Sequence, residues 1–209
     1  MARFSPFSDR EEAGRRLADE LPELDNPIVL ALPRGGVPVA AAVARAIGAP
    51  LAVFVVRKLG VPAQPELAMG AVATGGVRVL NDDVLRRANV SAGVLAEVTA
   101  RELAAVEARE RLYHGDRSAP ELAARDVVLV DDGLATGATM RAAVEAVQIS
   151  RPRRVVVAVP VAPAEVAAAF ARDGIEIAYV HVSGEFVSVG SWYRDFGQVT
   201  DEEVIRLIS

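Results

Sequence analysis

The 209-residue sequence has no cysteine, two histidines and a single lysine, Lys58. The absence of cysteine excludes disulfides, thiolate catalysis and cysteine-ligated zinc or iron–sulfur sites. The two histidines, His114 and His181, lie far apart in the chain, so we expect no histidine-based metal site. We interpret His114 as an exposed loop residue and His181 as a structural residue that ends a core strand, with a position facing the site as the alternative for His181.

The sequence also lacks any apolar run close to the ~20 residues that a helix needs to cross a bilayer. Its N-terminus becomes charged before an apolar segment develops, unlike a secretory signal. The formal net charge is −5 and the pI is near 5.2, which argues against a dedicated nucleic-acid binder because such proteins neutralise phosphates with Lys and Arg. We therefore expect a soluble, cytoplasmic protein with no membrane or nucleic-acid partner.

What is present is a repeating alternation of β-branched runs and alanine-rich helical stretches. The runs are apolar throughout, which is typical of parallel strands covered by helices on both faces. This pattern predicts a doubly wound α/β fold with a mainly parallel sheet, in one domain over residues 1–209 with a core at about 26–181. The predicted core strands are 28–32, 51–56, 127–130, 155–159 and 175–180.

Two acids, Asp131 and Asp132, follow the predicted strand 127–130 and precede a loop rich in glycine and threonine. Ligands of open α/β sheets bind at the carboxyl ends of strands, and the backbone N–H groups of such a loop can hold a phosphate. The acids suit the 2′ and 3′ hydroxyls of a ribose whose 5′-phosphate is bound by Gly133, Leu134, Ala135, Thr136, Gly137, Ala138 and Thr139. The alternative is an ordinary turn in which the acids cap the next helix. The Walker and dinucleotide-binding motifs are both absent.

The segment VVLVDDGLATGATM resembles the phosphoribosyl pyrophosphate (PRPP) binding motif of type I phosphoribosyltransferases. The resemblance implies that Asp131 and Asp132 contact the ribose and that residues 133–139 surround the 5′-phosphate. The segment LPRGG resembles the pyrophosphate loop of the family. This implies a cis peptide bond near 33–35 and a diphosphate site made by Arg34, Gly35 and Gly36, although an ordinary strand-to-helix turn is the alternative.

Arg57 and Lys58 close the predicted second strand, where the family places a basic residue against the diphosphate. We therefore predict both as diphosphate ligands, with a solvated basic pair as the alternative. The order of RKLG followed by PELAMGAV resembles a bacterial group of predicted phosphoribosyltransferases whose substrate is unsettled.

The family builds a variable hood over its active site, and here the resemblance points to residues 1–25 and 182–209, with 60–90 as a further candidate. The segment EFVSVG loosely resembles the purine-recognition segment of hypoxanthine-guanine enzymes, which implies acceptor contacts from Phe186, Val187 and Trp192. The alternative is that the aromatic side chains form only the small core of the hood. Ala135 and Glu185 replace an acid and a lysine of those enzymes, which argues against a 6-oxopurine acceptor.

The resemblance implies a Mg²⁺-dependent enzyme in which a nitrogenous acceptor, a purine or pyrimidine base or an analogue, displaces diphosphate from PRPP. The expected catalytic residues are Asp131, Asp132, Arg34 and Lys58, with Mg²⁺ on the two acids directly or through water. Asp132 and Glu185 are the candidates for a general base, 60–90 and 115–120 are the candidates for a lid, and a homo-oligomer is left open. The alternatives are a non-catalytic regulator that senses PRPP or a nucleotide, and a phosphate-ester hydrolase.

Overall fold

The computed structural model describes residues 6–115 and 119–209, which form helices and strands in alternation. The helices are α1 (Arg10–Ala18), α2 (Gly36–Ile47), α3 (Asp82–Arg87), α4 (Ala92–His114), α5 (Ala138–Ile149), α6 (Ala164–Arg172) and α7 (Asp201–Ile208). The strands are β1 (Pro27–Ala31), β2 (Leu51–Val53), β3 (Val56–Val61), β4 (Gln64–Ala73), β5 (Val77–Leu80), β6 (Asp126–Val130), β7 (Arg154–Pro163) and β8 (Glu176–Ser183).

Five strands form a parallel sheet in the order β2-β1-β6-β7-β8. Alternate residues of each central strand enter two separate apolar clusters, as in β6, where Val128 and Val130 face one cluster while Val127 and Leu129 face the other. Helices α1, α2 and α7 contribute to the first cluster, and α5 and α6 to the second. The predicted doubly wound α/β fold is therefore confirmed. No helix among the described residues has the length and apolar character that a membrane crossing needs.

The sheet order reverses between β1 and β6, which are paired in parallel with Ala31 opposite Val130. From β1 the chain continues outward to β2, and from β6 it continues the other way to β7 and β8. Such a reversal leaves a crevice outside the carboxyl ends of the two central strands, and ligands of open α/β sheets bind there. The two predicted loops follow β1 and β6, so both begin at this crevice.

A second, antiparallel sheet in the order β3-β4-β5 corrects the predicted location of Arg57 and Lys58. Strand β2 ends at Val53, so these two residues do not close the second parallel strand but lie in β3. The apolar run misled the prediction because Phe54 and Val55, which connect the two strands, are themselves buried.

The position of His114 is a second correction. It is the last residue of α4 rather than a loop residue, and it is only partly exposed. Its Nε2 lies 3.0 Å from the carbonyl oxygen of Val53, so the ring is fixed against the end of β2 rather than standing in a free loop. The candidate lid at 115–120 includes residues outside the described part of the chain.

Candidate active site

The loops after β1 and β6 lie against each other at the crevice. The backbone N–H of Leu32 donates to the carbonyl oxygen of Val130 at 2.9 Å. A Cβ added to Gly36 would lie 2.8 Å from the Asp131 Cα, and one added to Gly35 would overlap the Asp132 carboxylate. The structure therefore brings the two predicted glycines and the two predicted acids into direct contact. The peptide bond between Pro33 and Arg34 is cis, within the interval that the family resemblance implied.

Asp131 and Asp132 combine burial with proximity of like charge. Burial raises the pKa of Asp131 well above its ordinary value, and the neighbouring Asp132 carboxylate raises it further, although Asp131 Oδ1 accepts the Asp132 N–H at 2.9 Å. Burial also raises the pKa of Asp132, while the charge of Arg10 opposes this. The pair is held in an environment that disfavours two negative charges, as is common where charged ligands bind.

Replacing Asp131 by asparagine should stabilise the ligand-free protein at neutral and higher pH. A carboxyl whose folded-state pKa is raised contributes stability below its ordinary pKa and loses it as the pH rises through the raised value. The substituted asparagine cannot ionise, so we expect a gain of about 1 kcal/mol at pH 8, typical of relieving an unfavourable functional site. Urea denaturation should show this gain shrinking toward pH 4. The surface variant Asp82→Asn should stay within about 0.5 kcal/mol at both pH values; an Asp131→Asn protein less stable than wild type at pH 8 would contradict the account.

An arginine from the N-terminal helix reaches the acidic pair, which nothing in the sequence indicated. Arg10 Nε donates to Asp132 Oδ2 at 2.9 Å, and Arg10 Nη1 donates to the Gly197 carbonyl oxygen at 2.8 Å. Its guanidinium carbon lies 3.9 Å from the centroid of the Phe196 ring, at cation–π distance. Tyr193 Oη donates to the Asp132 carbonyl oxygen at 2.6 Å. Residues near both ends of the chain thus hold Asp132 in position.

The glycine- and threonine-rich loop after the acids leads directly into α5. Gly137 is the N-cap of that helix and has a φ of 74°, and a Cβ there would lie 2.8 Å from the Phe170 ring, so both conformation and packing require glycine. Ala135, Thr136 and Thr139 are exposed, with Thr136 Oγ1 accepting the Ala138 N–H at 3.4 Å. The loop therefore presents hydroxyl groups and a helix N-terminus to solvent, an arrangement suited to phosphate.

A cavity of about 180 Å³ connects the predicted diphosphate loop with the predicted phosphate loop. Its lining includes Arg34, Arg57 and Thr139, three residues that the sequence nominated from three different segments, together with Arg109 of α4. A space bordered by three guanidinium groups at a helix N-terminus is suited to an anion. Arg109 was not predicted, because nothing in the sequence of a charged helix marks which arginine faces the crevice.

Arg57 and Lys58 are both engaged by acids. Arg57 Nε donates to Glu102 Oε2 at 2.6 Å, and Lys58 Nζ lies 3.7 Å from Glu66 Oε2. Burial raises the pKa of Glu102, but hydrogen bonds from Arg57 and Arg101 outweigh it, so its pKa lies below the ordinary value. Lys58 lines a neighbouring cavity of about 520 Å³ that shares Arg57 and Thr139 with the smaller one, but it does not line the smaller cavity with Arg34.

The two terminal segments pair with each other near Asp131 and Asp132, at the carboxyl end of the parallel sheet. The Phe7 N–H donates to the Trp192 carbonyl oxygen at 2.9 Å, and the Arg194 N–H donates to the Phe7 carbonyl oxygen at 2.8 Å. Val189 packs over the phosphate loop, since a Cβ on Gly133 would lie 2.6 Å from Val189 Cγ1. These contacts put the C-terminal segment within reach of a ligand at Asp131 and Asp132.

The aromatic residues nominated for the acceptor pack mainly among themselves. The Trp192 ring lies between those of His181 and Phe186, at centroid distances of 5.6 and 6.2 Å, and Phe7 contacts His181 at 5.4 Å. Val187 is 90% exposed. This geometry favours the alternative that the aromatic residues form a small core, and it gives no enclosed base-binding slot around Val187. Burial lowers the pKa of His181, and the charge of Arg16 lowers it further.

The residues present fit a magnesium ion shared with a substrate. Among residues 6–115 and 119–209 there is no group of three or more His, Cys, Asp or Glu side chains that could hold a metal alone. Adjacent carboxylates such as Asp131 and Asp132 are the ligands that Mg²⁺ takes when substrate phosphates and water complete its shell. Burial is the main cause of their raised pKa values, and a divalent cation beside them would favour the ionised carboxylates that bind it.

Comparison with known sequences assigns the chain to a family. The sequence model described as the phosphoribosyl transferase domain matches residues 8–169, which is most of the chain. The chain belongs to the phosphoribosyltransferase family. The matched range includes both loops at the crevice.

Two curated relatives of the chain are longer proteins. These Mycobacterium tuberculosis proteins, from strains CDC 1551 / Oshkosh and H37Rv, carry the provisional name of phosphoribosyl transferase and are each 45% identical over 204 residues. The match covers 97% of this chain and 46% of each relative, so the chain spans about half the length of these relatives.

Solved structures share the fold at two levels of similarity. The crystal structure of TT1426 from Thermus thermophilus superposes with a TM-score of 0.90 at 45% identity, over 98% of both chains. A purine phosphoribosyltransferase from Pyrococcus horikoshii shares the fold with a TM-score of 0.50 at 16% identity, over 91% of this chain and 92% of that one. A Neisseria gonorrhoeae protein crystallised with ppGpp shares it at 0.53 and 13% identity, over 98% and 94%.

Proposed function

We propose that this phosphoribosyltransferase-family protein transfers the phosphoribosyl group of PRPP to a nitrogenous acceptor and releases diphosphate. The observation that carries the proposal is the contact between the loop after β1 and the acids after β6, where Gly35 and Gly36 pack against Asp132 and Asp131. A diphosphate on the first loop and a ribose on the acids would then be neighbours, as they are in PRPP.

The chain's own residues supply positioning and charge. The Thr136–Thr139 loop would hold the 5′-phosphate on backbone N–H groups and hydroxyls, and Asp131 and Asp132 would accept hydrogen bonds from the ribose hydroxyls. Arg34, with Gly35 and Gly36 close by, would neutralise the diphosphate as the bond from C1′ to its oxygen breaks and positive charge develops on the ribose. Catalysis would then derive mainly from orientation and electrostatic stabilisation.

Magnesium belongs to the same proposal. Asp131 and Asp132 would hold a Mg²⁺, directly or through water, and the ion would supply neutralisation of the negative charge of the diphosphate. Arg10 would have to release Asp132 Oδ2 or share it, because it already donates to that oxygen at 2.9 Å. Cationic groups around the carboxyl groups of Asp131 and Asp132 would lower their pKa values and so favour the ionised form.

The acceptor is proposed only as a nitrogenous base or an analogue. The surroundings of the two candidate general bases favour neither of them. Glu185 is exposed to solvent, and the carboxylate of Asp132 is already engaged in an ion pair with Arg10. The experiment is diphosphate release from Mg²⁺–PRPP with a panel of purines, pyrimidines and related amines. Release with one acceptor supports transferase activity and identifies the substrate. PRPP binding without release across the panel would contradict turnover with these acceptors.

The second candidate is a non-catalytic sensor of PRPP or a nucleotide. Two observations favour it: position 135 in the phosphate loop is an exposed alanine that cannot act as a base, and Arg10 occupies Asp132. The Neisseria gonorrhoeae relative in fold was crystallised with ppGpp, so that nucleotide belongs in the binding panel. Nucleotide binding that is tighter than PRPP binding, without diphosphate release, would favour the sensor.

A further inference from the structure

Arg109 lies in a part of the chain that the family motifs do not include. It belongs to α4, between the antiparallel sheet and the C-terminal helix, yet it lines the cavity of about 180 Å³ together with Arg34 of the cis-peptide loop. Arg109 and Arg34 can therefore reach the same anionic group in this cavity.

The guanidinium of Arg109 is held in place by two neighbours. Its Nη1 donates to Tyr113 Oη at 2.7 Å and to Asp201 Oδ1 at 3.0 Å, and Tyr113 Oη donates to the same Asp201 oxygen at 2.6 Å. Both hydrogen bonds of Arg109 use Nη1, so within the described residues Nε and Nη2 remain available to a ligand. An arginine fixed in this way loses little side-chain entropy when it binds an anion.

Asp201 connects Arg109 to the predicted diphosphate loop. Its Oδ1 lies 3.9 Å from Arg34 Nη1, beyond hydrogen-bond distance, so Arg34 keeps its donors while the two guanidinium groups share one acid. Arg57 also lines the cavity, and its Nε donates to Glu102 at 2.6 Å. Arg34 and Arg109 are thus two guanidinium groups that share Asp201 and line the same cavity.

We propose that Arg109 is a diphosphate-binding residue that acts together with Arg34, and that Tyr113 and Asp201 position it. This inference rests on the proposed function, since it concerns the leaving group of the same reaction. Two planar guanidinium groups facing one cavity can each form paired hydrogen bonds to phosphate oxygens, which a lysine cannot do. The proposed site thus draws one cation from the loop after β1 and one from α4.

The test compares Arg109→Gln with Arg111→Gln by calorimetric titration of Mg²⁺–diphosphate and, separately, ribose 5-phosphate. Arg111 lies on the same helix, is exposed and pairs with Glu107 at 3.9 Å, so it is a matched control. We expect Arg109→Gln to weaken diphosphate binding about tenfold, as for loss of a charge-assisted hydrogen bond. Ribose 5-phosphate binding should change less than about twofold, and Arg111→Gln should leave both unchanged.

The possible results distinguish failure of the Arg109 inference from failure of the proposed function. Equal loss of both ligands in Arg109→Gln would indicate a structural role and overturn the inference, as would unchanged diphosphate binding. Arg109→Lys should recover only part of the affinity, because it restores the charge without the planar fork. If the wild-type protein binds neither diphosphate nor ribose 5-phosphate, the proposed function itself fails.

Discussion

Replacing both Asp131 and Asp132 by asparagine should weaken Mg²⁺–PRPP binding about 100-fold or more while the protein stays folded. Hydrogen bonds to charged groups contribute about 1.5–3 kcal/mol each, and tenfold in affinity corresponds to about 1.4 kcal/mol. Folding should tolerate the change because the substitutions remove two acids whose burial already disfavours ionisation. Calorimetric titration with Mg²⁺–PRPP measures the loss, and circular dichroism checks the fold.

The chain offers a matched control for this double variant. Asp82 and Asp83 form another adjacent acidic pair, but they are exposed at the start of α3. Asp82→Asn with Asp83→Asn should leave PRPP affinity within about twofold of wild type, since exposed charges far from a ligand contribute little. Unchanged affinity in the Asp131 and Asp132 variant would disprove the ribose assignment.

The second large effect is expected at the glycine pair of the loop after β1. A Cβ on Gly36 would lie 2.8 Å from both the Asp131 Cα and the Val130 carbonyl oxygen, and these backbone atoms can move only if the loops separate. Gly36→Ala should therefore lower the free energy of unfolding by about 1–3 kcal/mol, as overpacking of a close contact does. Chemical denaturation measures the change.

The neighbouring glycine should respond differently. A Cβ on Gly35 meets the Asp132 carboxylate, a side chain that can move aside if it gives up its ion pair with Arg10. Gly35→Ala should leave stability less affected than Gly36→Ala but displace the acid and weaken PRPP binding. Gly93→Ala is the control, because that α4 position has nothing within 4 Å of the new Cβ and alanine favours helix by about 0.5–1 kcal/mol. Equal behaviour of all three variants would contradict the close packing of the two loops.

The parallel sheet and its two central loops were predictable because the residues that define them are contiguous in the sequence. Each core strand is a continuous apolar run, and the acids, glycines and threonines follow such runs directly along the chain. Parallel pairing of β1 with β6 then brings their carboxyl ends to one edge. The last helix, α7, is likewise set by local residues, since the Thr200 side chain at its N-cap accepts the Glu203 N–H and three acids occupy its first turn.

Contacts made between distant segments could not be predicted in the same way. Arg10 is 122 residues from Asp132, and Arg109 is 92 residues from Asp201, so no spacing rule connects them. The sequence has 22 arginines, 23 basic residues less one lysine, and most exposed helical arginines form solvated ion pairs. Only the packing of α1 and α4 around the sheet selects the two that reach the crevice.

The most direct test of the PRPP site is titration of the wild-type protein with PRPP in the presence and absence of Mg²⁺. We expect saturable binding of one PRPP per chain, tighter with Mg²⁺, and reduced by competing diphosphate and by competing ribose 5-phosphate. Such competition by both halves of the molecule follows only if the diphosphate loop and the acidic phosphate loop form one site. No binding heat at any Mg²⁺ concentration, or binding that neither half displaces, would contradict it.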